Sequence, residues 1–338
     1  MFKRLMAVLM LAATSMTANA LEITPRVIGG SLVTEVGLVD GFVSVITHIN
    51  DGEISICGGT LIASNWVLTA AHCVVDTTTG VITNPNSIQI VINDPNGPLD
   101  PSPNVDPETG QPIPARGYDV AVAFPHENYN QVTFINDIAL IQTVQDVQYF
   151  GTMVLNGGSI QEQYNREVYV IGHGRHSDDD ALDGHQRLGQ AIIIDHRQCR
   201  YFQSGQMNSN NQFCFGNPLG IHNACQGDSG GPSFIPINLN GENRMMQFGI
   251  VSFGGARCSG GDGVQTNVVG YLGWINQYVP TVVATVPPVN PSPTPTPEPE
   301  PEPTPEPVKK KGGGSFGLVL LSTLGVATIR RRSLTISQ

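Results

Sequence analysis

Charge is scarce in this chain. Asp, Glu, Lys and Arg make up 13% of 338 residues, and Lys and Arg together number only 17. No basic cluster interrupts residues 27–280, so the electrostatic footprint that nucleic acid requires is missing and a nucleic-acid partner is not expected. The net charge of −11 reads as a solubility feature. Cys-x-x-Cys is absent, as is any paired His/Cys spacing, which argues against a zinc site despite six cysteines. Long apolar runs are missing too: Leu5–Leu11 and Phe316–Ile329 both fall short of the ~20 residues that comfortably span a bilayer.

What is present at the two ends concerns traffic. Lys3 and Arg4 precede the apolar run Leu5–Leu11, and Ala18-Asn19-Ala20 fits small-residue cleavage, so residues 1–20 are read as a signal peptide and the protein as exported. In an oxidising compartment six cysteines imply disulfides, but the sequence leaves their pairing open. Residues 281–311 alternate Pro with Thr, Ser and Glu, cannot form a core, and are expected to be an extended linker. Residues 312–338 begin Gly312-Gly313-Gly314-Ser315, continue through the apolar stretch and include Arg330-Arg331-Arg332. The arginines are expected to stay on the cytoplasmic side. This tail resembles the bacterial GlyGly-type C-terminal sorting signal, cut near the glycines by an intramembrane protease, with a simple membrane tether as the alternative.

Between the ends, short Val- and Ile-rich runs are bounded by Gly, Asn, Asp and Pro. Phe42–Ile49, Trp66–Ala70, Ile88–Ile92, Val168–Ile171, Ala191–Ile194 and Phe248–Ser252 are examples, and they predict strands of an all-β fold. Periodicity does not separate a sandwich from a barrel. Tyr271, Leu272, Trp274, Ile275, Tyr278 and Val279 recur at helical spacing, which predicts a C-terminal helix whose aromatics serve packing. Residues 93–117 are Pro- and Gly-rich and read as a surface loop. Asp94, Asn96, Asp100, Asn104, Asp106 and Glu108 lie there without the Asp-x-Asp-x-Asp-Gly order of a calcium loop.

Three segments carry chemistry. Gly227-Asp228-Ser229-Gly230-Gly231-Pro232, Ala70-Ala71-His72-Cys73 and Asn136-Asp137-Ile138-Ala139-Leu140 supply a serine, a base to take its proton, and a carboxylate to fix the tautomer of that base. Each alone has a bland reading as a turn or packing residue; together they require three coincidences. With Arg26-Val27-Ile28-Gly29-Gly30, Cys57-Gly58-Gly59-Thr60-Leu61-Ile62 and Val251-Ser252-Phe253-Gly254, the chain resembles trypsin/chymotrypsin-type serine endopeptidases over about residues 27–280.

The resemblance implies two six-stranded antiparallel β-barrels with a cleft between them and a closing C-terminal helix. It implies His72, Asp137 and Ser229 as catalytic residues and the N–H groups of Gly227 and Ser229 as oxyanion donors. It further implies the pairs Cys57–Cys73, Cys199–Cys214 and Cys225–Cys258, and no cofactor or metal. Residues 21–26 become an activation propeptide cut after Arg26, the freed Val27 ammonium pairing with Asp228. Asn223 falls at the floor of the primary pocket, with Ala224, Ser252, Gly254 and Gly263 around it. Trypsin-like enzymes carry Asp at that floor, so an uncharged, chymotrypsin-like preference is expected. Asp262 adds negative charge nearby and Arg257 opposes it. His173 stands where the family commonly has Trp and is expected, like His48, His126, His176, His185, His196 and His222, at the surface or in a turn. The His-to-Asp separation of 65 residues is long for the family. Expected partners are protein or peptide substrates, a separate trypsin-like activating protease, the export machinery and the sorting protease, for a monomer secreted or held at the cell surface. A catalytically silent surface binding module on the same scaffold is the contrasting expectation.

Overall fold

Alternation of apolar and polar residues turns into strands that bury one face. The computed structural model describes residues 31–33, 39–49, 53–92, 117–147, 151–179, 182, 184–216, 224–255, 257–258 and 261–288. The signal peptide, the propeptide, residues 93–116 of the loop and the tail from residue 289 therefore lie outside the described residues.

After the short β1 (Ser31–Leu32), six strands make the first barrel: β2 (Phe42–His48), β3 (Ile54–Ala63), β4 (Trp66–Thr69), β5 (Ile88–Val91), β6 (Gly117–Pro125) and β7 (Ala139–Thr143). They close in the order β2-β3-β4-β7-β6-β5. Val45, Leu61, Val67, Ile90, Leu140 and Ile141 fill its interior, each stabilising the fold by about 1.5–3 kcal/mol through burial.

The second half contains β8 (Val154–Asn156), β9 (Glu167–Gly172), β10 (Arg187–Ile194), β11 (Gln212–Gly216), β12 (Pro232–Leu239), β13 (Glu242–Gly254) and β14 (Gly263–Asn267). The path β12-β9-β10-β11-β14-β13 closes through β12–β13 pairing into the second six-stranded barrel. Phe213, Phe215, Phe248 and Val170 pack inside it. A one-turn helix α1 (Arg200–Gln203) precedes β11, and α2 (Leu272–Tyr278) follows β14.

Helix α2 crosses back to the first barrel. Trp274 and Ile275 enter that barrel's apolar cluster, and the Tyr278 ring packs at a tilt against Phe124, their centroids 4.9 Å apart. The fold then continues into the segment that composition assigns to the linker. β15 (Ala284–Thr285) pairs in parallel with Leu155 and Asn156, and Arg166 donates to the Pro288 carbonyl at 2.6 Å. Three disulfides join Cys57 to Cys73, Cys199 to Cys214 and Cys225 to Cys258. Among the described residues, no helix is long and apolar enough to cross a membrane.

Candidate active site

His72 lies in the 3-10 turn Ala71–Cys73 just after β4, and the smallness of fully buried Ala70 and Ala71 lets the turn press onto the barrel. Asp137 lies two residues before β7 and is wholly buried. Its carboxylate accepts from the His72 backbone N–H at 3.0 Å and meets His72 Nδ1 at 2.8 Å. Ser252 Oγ donates to the same carboxylate at 2.5 Å, and Thr266 Oγ1 donates to the Asp137 carbonyl at 2.7 Å. These donors replace the water that the carboxylate loses on burial. Because Asp137 can only accept there, the His72 proton belongs on Nδ1 and the lone pair on Nε2. Burial of the ring opposes the imidazolium, but the charge and hydrogen bond of Asp137 outweigh it and raise the His72 pKa above its ordinary value.

Ser229 sits half-buried in a tight turn between Cys225 and β12. Gly227 has φ +101°, which a side chain would strain. Gly230 has φ +78° and lies against Thr69, Gly58 and Cys73 of the first barrel, where a Cβ has no room. Gly58 N–H donates to the Ser229 carbonyl at 2.7 Å, fastening the turn across the barrels. The amides of Asp228, Gly230 and Gly231 are engaged by Cys225, Val251 and Asp228 carbonyls; those of Gly227 and Ser229 make no backbone hydrogen bond among the described residues. They are available donors of the kind an oxyanion needs.

Beside Ser229 opens a cavity of about 160 Å³ whose lining includes Ala224, Gln226, Ser252, Gly254 and Gly263. Among the described residues lining it, none carries a charge. A larger recess of about 560 Å³ adjoins Gly254, walled by Phe134, Tyr201, Met207 and Phe253. A third, of about 630 Å³, runs from His72 past Thr47, Ser55 and Thr78.

Two residues on the Asp137 loop adopt left-handed backbone: Phe134 with φ +53° and Asn136 with φ +59°. Asn tolerates this region, whereas a bulky Phe there is strained by about 1–3 kcal/mol. The Phe134 ring meets His72 edge-on at 5.8 Å and Phe253 at 5.4 Å.

The model of the trypsin family matches residues 41–275. The chain belongs to the trypsin family. Its domain is a serine endopeptidase domain of trypsin fold. It is 30% identical over 272 residues to chymotrypsin-like elastase family member 1 of Macaca fascicularis, covering 76% of this chain and 91% of that protein. It is 32% identical over 221 residues to serine protease SP24D of Anopheles gambiae, covering 64% of this chain and 70% of that protein. Tissue-type plasminogen activator of Mus musculus is 30% identical over 245 residues; there the match takes in 67% of this chain but only 39% of that protein.

Within this trypsin-family domain the structure brings His72 and Asp137 into contact, and places Ser229 on the cavity wall with Ala224, Ser252, Gly254 and Gly263. Asn223, Arg26 and Val27 lie outside the described residues. Asp228 is buried and accepts from the Cys225 and Gly174 amides at 2.8 Å each. Desolvation pushes its pKa up to about 6 against those two bonds and the charge of Arg187.

One sequence expectation is corrected. His173 is not at the surface: it is 2% exposed, stacks on Phe42 at 5.9 Å, and has Nδ1 3.3 Å from Ser44 Oγ. Asp262 is not among the described residues that line the cavity; its carboxylate accepts from the Arg200 N–H at 3.1 Å at the start of α1, and Arg257 is exposed. Sequence reading also missed the bond from Ser252 to Asp137. Pairing of β13 with β14 slips between Val251 and Phe253, and that β-bulge turns Ser252 toward the carboxylate. No periodicity announces it.

Proposed function

We propose that the chain is an exported serine endopeptidase that hydrolyses peptide bonds through an acyl-enzyme. The observation that carries this reading is the double grip of buried Asp137 on the His72 amide and Nδ1, beside a Ser229 turn with two available N–H donors. Ser229 Oγ attacks the peptide carbonyl while His72 Nε2 takes its proton; Asp137 stabilises the imidazolium; the Gly227 and Ser229 amides receive the oxyanion. His72 then protonates the departing amine, and water repeats the sequence on the ester.

The uncharged lining around Ala224, Gly254 and Gly263 favours a neutral residue before the scissile bond, in keeping with Asn223, which the resemblance assigns to the pocket floor. Activation follows cleavage after Arg26. Asp228 is a buried carboxylate held by two amides, and the Val27 ammonium is the partner whose arrival would ionise it and order the Ser229 turn. Because a neutral pocket disfavours Arg, a separate trypsin-like protease performs that cut. The N-terminal signal supports export through the periplasm, and the Pro-rich linker, glycines, apolar stretch and arginines support sorting through a GlyGly-type tail, with anchoring transient or lasting. The protein works as a monomer.

The test is a fluorogenic peptide-library profile of the full-length chain after cleavage at Arg26, with Ser229→Ala as blank. Cleavage after large neutral residues, absent from the blank, is the expected result. Cleavage after Arg or Lys overturns the pocket reading, and a folded, activated chain without turnover overturns the protease in favour of a binding module.

A further inference from the structure

The Asp137 loop belongs to the first barrel, yet the groups that hold it come from the second half of the chain. Gln212, at the start of β11 and 1% exposed, sends Nε2 to the Phe134 carbonyl at 2.9 Å. Its Oε1 accepts from the Asn208 N–H at 2.9 Å, which fixes the amide orientation. Tyr271, just before α2 and 3% exposed, donates its hydroxyl to Asn136 Oδ1 at 2.8 Å. Asn136 Nδ2 donates in turn to the Asn128 carbonyl at 2.8 Å. Thr266 on β14 takes the next carbonyl, that of Asp137. Thus the two left-handed residues are each gripped by a buried polar side chain from across the interface.

We propose that Gln212 and Tyr271 are positioning residues, which hold Phe134 and Asn136 in left-handed conformation and thereby aim Asp137 and the Phe134 ring at His72. The inference rests on the protease reading above. Backbone in a sparsely populated region persists only where its surroundings over-determine it, and these outliers gather at sites of function. A loop kept only for stability has no need of a left-handed Phe; here that conformation sets the ring edge-on to His72 and places Asp137 three residues on. Burial first of all keeps Tyr271 protonated, with its pKa up at about 12, so it donates throughout the working pH range. The hydrophobic spacing of α2 hides this duty, since Tyr271 reads as one more packing aromatic.

The experiment uses the full-length chain carrying Gln212→Met, Gln212→Glu or Tyr271→Phe, each close in volume to the original. After activation, kcat is expected to fall about 3–10-fold with KM within about twofold, the size of one lost hydrogen bond expressed in the transition state. The Gln212→Met/Tyr271→Phe double variant should fall by less than the product of the singles, because both act on one loop. A second readout needs no turnover: the downfield proton resonance of His72 Nδ1–H in a Ser229→Ala background should broaden or shift in each variant. Unchanged kcat and an unchanged resonance in folded Gln212→Met and Gln212→Glu would overturn the proposal. If wild type shows the resonance but never turns over substrate, the protease reading fails while the clamp is still judged by the resonance alone.

Discussion

In the proposed mechanism Asp137 is the residue on which the chemistry turns, and its surroundings make quantitative demands. Replacing it with Asn should lower kcat about 10⁴-fold, because the amide permits the wrong imidazole tautomer. Ser252→Ala removes one donor to a charged group, so kcat/KM should drop about 10–100-fold with little change in folding. The raised His72 pKa places the acid limb of kcat/KM above the ordinary histidine value of 6.5, and Asp137→Asn should move any residual limb downward. Asp228 gives an opposite sign in stability. Before the proposed cleavage at Arg26 its folded pKa is about 6 against an ordinary 3.8, so between those values the folded chain keeps a proton that the unfolded chain has lost. Stability of the uncut chain should therefore fall as pH rises through that window, by on the order of 2–3 kcal/mol. Urea titrations at several pH values should show this slope, and show it abolished or reversed once Arg26 is cut. The strings that hold these residues were legible because reactive groups sit in short, unusual sequences; the bond of Ser252 to Asp137, the contacts of Gln212 and the backbone of Phe134 were not, because they arise from a bulge and from contacts between distant strands.

Elements of the fold were legible where burial follows a local pattern. Phe42–His48, Trp66–Thr69 and Ile88–Val91 emerge almost as their apolar runs foretell, and so does α2. Other elements have no such mark. β6 alternates weakly, and β8 is only three residues long, ordered by β13 and β15 on either side. β15 itself hides at the head of a Pro-rich stretch and forms because β8 offers an edge and buried Arg166 offers a donor to the Pro288 carbonyl. A chain ending at residue 280 should therefore unfold about 2–4 °C lower than one ending at residue 288, as expected for the loss of about 1 kcal/mol in a domain of this size. Arg166→Met should reproduce part of that loss in thermal unfolding, since Pro288 then loses its donor.

At the scale of the whole molecule, composition and periodicity reached an all-β fold, and the resemblance reached two barrels. Neither reached the manner in which the barrels are tied. His72 and Asp137 belong to the first barrel, Ser229 and Ser252 to the second, and α2 returns to bury Trp274 and Ile275 in the first core. Such closure depends on pairings far apart in sequence, like β12 with β13 completing the second ring, which local pattern cannot encode. Assembly of the site thus requires both barrels docked. The most direct test of this central claim is a phosphonate that reacts with activated serines, applied to the activated full-length chain and located by peptide mass spectrometry. The expected result is a single adduct on Ser229 that disappears in His72→Ala. No adduct from the folded, activated chain, or labelling that is indifferent to His72→Ala, would contradict it.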